Sequence, residues 1–145
     1  MTPQNSSLLR RFAAILYDTL LVFAFLVILA ILANSSLRGE NVYAGGLVFV
    51  RVYNAIRFLV VFLFFVVYWS TRGRTLGMQS WGLQLQTMDG SIPSISTASI
   101  RFFAAILSWI PFGLGFAWQL WDKDKLSWHD RISGTRLVYY PKEKT

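Results

Sequence analysis

The sequence predicts an all-α membrane protein: two transmembrane helices, a third apolar helical region that is broken or re-entrant, and a small cytoplasmic β-ribbon. Three observations carry this. Only 14% of the residues are charged while 54% are hydrophobic, against about 25% charged in a soluble domain. Residues 12–33 and 52–70 are apolar runs long enough to cross a ~30 Å hydrocarbon core at ~1.5 Å per residue. A third run, residues 100–121, is interrupted by Pro111, Gly113 and Gly115. Proline removes a backbone donor and glycine weakens a helix, so that run does not form one straight span.

The elements follow in order. Residues 1–9 are a polar lead, and Arg10 and Arg11 stand at the head of the first run. That run is too long for the apolar part of a signal peptide, holds Asp18 and lacks an A-x-A site, so an uncleaved span is expected. Residues 34–51, with Gly39, Gly45 and Gly46, read as a loop. The second run ends in Tyr68 and Trp69, as an interfacial aromatic belt requires. "TLGMQSWG" has the composition of one or two helical turns. "LQLQT" at 83–87 alternates in the strand period, Asp89-Gly90 is a turn dipeptide, and "TRLVYY" at 135–140 favours a strand. The two strands, about 83–88 and 135–140, are expected to pair on the membrane surface, resting on the helices because a lone ribbon is marginal.

The formal charge of +7 comes from basic residues that mostly flank the apolar runs. They fit topology signals and contacts to anionic lipid headgroups, and no basic helix or aromatic-basic strand suggests nucleic acid. The positive-inside rule places the N-terminus, the 71–101 loop and the tail in the cytoplasm. Three full crossings cannot satisfy that, so the third region is expected to return without crossing. Cysteine is absent, which excludes disulfides, thiol catalysis and cysteine metal sites.

Asp18 is the residue that needs explaining. It lies ~9 Å inside the first span. A central aspartate costs about 2.5–3.5 kcal/mol on the insertion scale, and fourteen Leu, Ile, Phe and Val residues in the same run outweigh it at roughly −0.3 to −0.6 kcal/mol each. The helix still inserts, with the carboxylate facing protein or a water-filled cavity. Arg11, seven residues earlier, shares its helix face, and Arg101 lies at a matching depth. One of these guanidiniums, or a bridging water, is the expected partner. Asp18 is then either a residue on a cation or proton path or half of a structural ion pair.

"WHDRISGT" at 128–135 contains His129, the only histidine. One His-Asp pair does not make a metal centre, and no nucleophile, base and oxyanion hole can be assembled around it. No catalysis, metal or other cofactor is expected. The plainer expectation is that His129, Asp130 and Arg131 cap a surface helix, with Gly134 turning the chain into the strand.

The order of these blocks resembles the RDD family of small membrane proteins over roughly residues 10–140, and the whole chain reads as one domain of that type. "RRFAAILYD" is similar to the family's opening, with Arg11 as its arginine and Asp18 as its first aspartate. "TLGMQSWGLQLQTMDG" resembles the second block. "HDRISGTRLV" resembles the closing block, giving Asp130 as the second aspartate, with Asp89 the less favoured choice. Met78 stands where many members carry Lys, and Ser108 where members often carry an acid. The resemblance implies a multi-pass protein of a bacterial inner membrane that transports an unidentified ligand, cation/proton exchange included, along Arg11, Asp18 and Asp130, supported by Arg101, His129 and Arg131. A three-helix subunit scarcely encloses a pore, so a homo-oligomer or a larger membrane complex is expected. The competing expectation is a scaffold or accessory subunit held together by the same charges.

Overall fold

The computed structural model describes residues 4–36 and 46–141. A two-residue strand, β1 (Gln4–Asn5), precedes the long helix α1 (Leu8–Ser36); α2 (Gly46–Arg72) follows. Next come the short α3 (Leu76–Ser80), β2 (Leu83–Thr87), α4 (Ile95–Trp109), α5 (Leu114–Ala117) with a 3₁₀ turn at Trp118–Leu120, α6 (Trp128–Ser133) and β3 (Thr135–Tyr139). The second helix begins at Gly46, inside the segment expected as loop. The rest of that loop, with Arg38, Gly39 and Gly45, lies outside the described residues, as do Lys142 and Lys144 of the tail.

The expected ribbon is present, in register from Leu83↔Tyr139 to Thr87↔Thr135. It has one more strand than the sequence suggested. β1 pairs along the other edge of β3, matching Gln4 with Tyr139, so the order is β1-β3-β2. Leu85 and Leu137 face each other across β2 and β3 and both are buried. They join Ala14 of α1, Val66 and Trp69 of α2, Met78 of α3, and Ala98 and Phe102 of α4 in the core. That core lies where the sheet meets the helices. Farther along, α1 and α2 expose Leu20, Phe23, Ile28, Ile31, Val52 and Leu59, side chains that only a bilayer solvates well.

One sheet holds the strand before α1, the strand after α2 and α3, and the strand at the tail. All three therefore share one side. The third apolar region starts and finishes there. α4 is capped by Ser94, whose hydroxyl accepts the Thr97 N–H at 3.3 Å, and after Trp109 the chain bends by 109° into the α5 leg. Pro111 sits in the bend and Gly113 takes the left-handed φ of +77°. At Gly115 a β-carbon would come within 2.6 Å of Ser108 Cα, so only glycine lets the return leg lie this close to α4. The region is a broken, sharply bent helical pair, as its interrupted pattern predicted.

Candidate functional site

Asp130 is the hub. It is fully buried, at 0% exposure, in the first turns of α6, where its Oδ2 accepts the Ser127 backbone N–H at 3.1 Å. An acidic residue three positions into a helix, reaching back to the N-cap, is standard helix-start chemistry. Both carboxylate oxygens also take arginine. Arg11 Nη1 donates to Oδ2 at 2.5 Å and Arg101 Nη1 donates to Oδ1 at 2.6 Å. Arg11 is anchored further by Nε to Ser6 Oγ at 2.7 Å and Nη1 to Ser127 Oγ at 3.2 Å. Arg101 Nη1 also reaches Thr135 Oγ1 at 2.7 Å, and its guanidinium lies 5.5 Å from the Trp69 ring. The cluster thus ties α1, α4, α6 and the start of β3.

Burial alone would raise the Asp130 pKa, but the charges of Arg101 and Arg11 and the Arg11 hydrogen bond hold it far below the ordinary carboxylate range. His129 is moved the other way along the scale of charge: burial first, then the positive charge of Arg101, depress its pKa to about 3. It is a neutral imidazole at physiological pH. Its Nδ1 lies 3.2 Å from Ser108 Oγ and its Nε2 2.9 Å from Ser127 Oγ. Phe116 of the return leg packs on its ring at 4.5 Å.

Asp18 is not paired with Arg11 or Arg101, contrary to the expectation from helix periodicity. Its carboxylate takes the Thr75 hydroxyl on one oxygen and the Gly77 N–H on the other at 2.9 Å. Thr75 caps α3, accepting the Met78 N–H at 3.2 Å. The reason is proximity: α3 lies directly against α1, and a β-carbon on Gly77 would stand 2.8 Å from Asp18 Cγ. Short local donors fill the carboxylate, and the two long guanidiniums reach past it to a carboxylate delivered by the tail.

The two motifs still meet at one place. A cavity of about 470 Å³ lies between α1, α2 and α4, and its wall includes Arg11, Asp18, Arg101 and His129 among mostly apolar side chains such as Phe58, Phe65, Phe102 and Ile106. Two guanidiniums against Asp130 leave one positive charge in excess, and Asp18 is the second carboxylate of the set. Among the described residues no three His, Asp or Glu side chains converge as a metal site would require.

Arg131 does not belong here. It is half-exposed and pairs with Asp122 at 2.5 Å and Asp124 at 3.2 Å. The helix expected around residues 128–133 is present, with Asp130 capping its start and Gly134 turning the chain into β3 as expected, but His129 and Asp130 face inward and only Arg131 lies at the surface. Asp89 sits in an exposed turn with Thr87 and Ser91, away from the buried cluster around Asp130. Sequence reasoning passed over Ser6, Thr75, Gly77, Ser127 and Thr135. Two of these carried a signal: Thr75 and Ser127 each stand where a hydroxyl caps a short helix, Ser127 with an acid three residues on. Neither curated proteins nor solved structures match this sequence. The RDD family model matches residues 6–134, a span that takes in Arg11, Asp18 and Asp130, and the chain belongs to the RDD family.

Proposed function

We propose that this RDD-family protein is a membrane carrier for a small ligand, acting by binding and passage in place of catalysis. It works as a homo-oligomer in a bacterial inner membrane, with both ends of the chain in the cytoplasm. The observation that carries this is the cavity: about 470 Å³, bounded by both long helices and the bent pair, with four buried ionisable residues on its wall. Ionisable groups at bilayer depth mark ligand and ion routes, and pockets of this size hold small molecules. The oligomer is supported by the wide apolar faces of α1 and α2. The cytoplasmic orientation is supported by Arg10, Arg72, Arg74, Lys123, Lys125 and Arg136, which cluster at the sheet end of the chain.

The test is flux through purified protein in proteoliposomes loaded with a pH-sensitive dye and pulsed with NaCl or KCl. Proton movement above empty liposomes, lost in Asp18→Asn while the oligomer stays intact, supports exchange. If no pulse moves protons, the cation/proton form of the reading fails. A scaffold role has its own support, because Asp130 binds three distant parts of the chain into one unit. If Asp18→Asn dissolves the oligomer, the scaffold is the better reading.

A further inference from the structure

We infer that the cavity between α1, α2 and α4 binds a single-chain amphiphile whose head is a hydrogen-bond acceptor, seated at Arg101, and whose apolar chain runs along the phenylalanine wall. This rests on the carrier reading for its site, and names the class of molecule that site takes.

The donors on the wall outnumber the acceptors. Arg101 gives Nη1 to both Asp130 and Thr135, and Arg11 uses Nε and Nη1; both side chains are only 4% exposed and both line the cavity. Trp69 Nε1, on the same wall and under the Arg101 guanidinium, is a buried donor without a partner. The carboxylates are already used: both oxygens of Asp18 are engaged by Thr75 and Gly77, and Asp130 is enclosed by its arginines and Ser127. A buried N–H group without a partner, such as Trp69 Nε1, demands an acceptor. A carboxylate, ester or amide oxygen supplies one; an ammonium head supplies only more donors.

The rest of the wall selects the tail. Phe58, Val61, Phe65, Phe102, Ala105 and Ile106 offer apolar surface and no polar atoms in their side chains. A hydrated inorganic ion would have to shed water against them without compensation. An alkyl or isoprenoid chain gains by the same contact. The cavity is also partly open, so a chain has a way in.

The probe is 11-bromoundecanoate, whose bromine quenches tryptophan, with the amide of the same chain and the matching bromoalkylammonium as the other arms. All are titrated into full-length protein in lipid nanodiscs. Saturable quenching is expected from the carboxylate and the amide, with an apparent dissociation constant at least tenfold lower than for the ammonium. Ala105→Phe, which fills the cavity away from the charges, removes the saturable part; Ile15→Phe does the same from the opposite wall if the first variant fails to fold. The inference is overturned if the ammonium binds as well as the carboxylate, if quenching is only the linear partitioning seen in empty discs, or if a folded cavity-filled variant saturates like the original. Saturable binding without proton flux in the proteoliposome assay removes the cation/proton form of the carrier reading alone. Ion flux without saturable binding removes this one alone.

Discussion

Asp130 and His129 stand next to each other and solve burial in opposite ways. Asp130 keeps its charge by surrounding it with guanidinium. His129 gives its charge up. The donors around the ring fix which nitrogen carries the proton. Ser108 Oγ spends its hydrogen on the Ala104 carbonyl at 2.9 Å, so it accepts from His129 Nδ1–H; Ser127 Oγ takes Arg11 Nη1–H and gives its own hydrogen to Nε2. Nitrogen chemical shifts of labelled protein are therefore expected to report the Nδ1–H tautomer. The pH dependence follows. The unfolded histidine binds a proton near its ordinary pKa of about 6.5, while the folded one resists down to about 3. Stability from this group is complete above pH 6.5 and is lost progressively as pH falls toward 3, because only the unfolded state takes up the proton. Thermal unfolding in detergent at pH 8 and pH 5 measures the slope, and His129→Asn should flatten it. For Asp130, removing the negative charge strands two buried arginines. Asp130→Asn is expected to cost about 3–5 kcal/mol, seen as a large fall in melting temperature, while Asp89→Asn in its exposed turn changes little. These roles were half legible. Helix spacing found Arg11 and Asp18, and depth found Arg101, but which carboxylate meets which arginine depends on contacts spanning 119 residues, and no local periodicity encodes that.

At the scale of elements, two glycines set how closely helices approach. Gly77 lets α3 lie on α1 so that its backbone N–H reaches Asp18. A methyl group there meets the Ala14 carbonyl and the Asp18 side chain. Gly77→Ala is therefore expected to separate α3 from α1 and lower stability by about 1–3 kcal/mol, whereas Gly90→Ala, where open space surrounds the added carbon, bears only the cost of its positive φ. The bent pair was legible because proline and glycine interrupt an apolar run in a recognisable way. β1 was not, because two polar residues show no alternation, and only the free edge of β3 makes them a strand. The partner of α3 was hidden for another reason. A five-residue helix has too little pattern to reveal which face it buries.

For the molecule as a whole, the sheet decides the topology. β1 and β3 are hydrogen-bonded neighbours, so the first and last strands occupy one aqueous side whatever the depth reached by α4 and α5. Reporter fusions before Gln4 and after Tyr140 should both show activity only with reporters that work in the cytoplasm. Reporters active on opposite sides would contradict the sheet, and a pair active only outside would contradict the charge distribution. The shared side of the first and last strands agrees with the arginines and lysines, since three full spans would separate the basic tail from the basic N-terminus. The cavity was not, because it forms between helices whose order in space no single segment records.

The salt-bridge cluster also imposes an order of events during synthesis. Arg11 leaves the ribosome 119 residues before the carboxylate that neutralises it, an interval of roughly 6–24 s at about 5–20 residues per second. Until then both arginines must remain among water and lipid phosphates, and the first span can settle only when the tail arrives. A nascent chain halted before Trp128 should therefore insert its helices and still be recognised as unfinished, with pulse-chase labelling showing rapid proteolytic clearance.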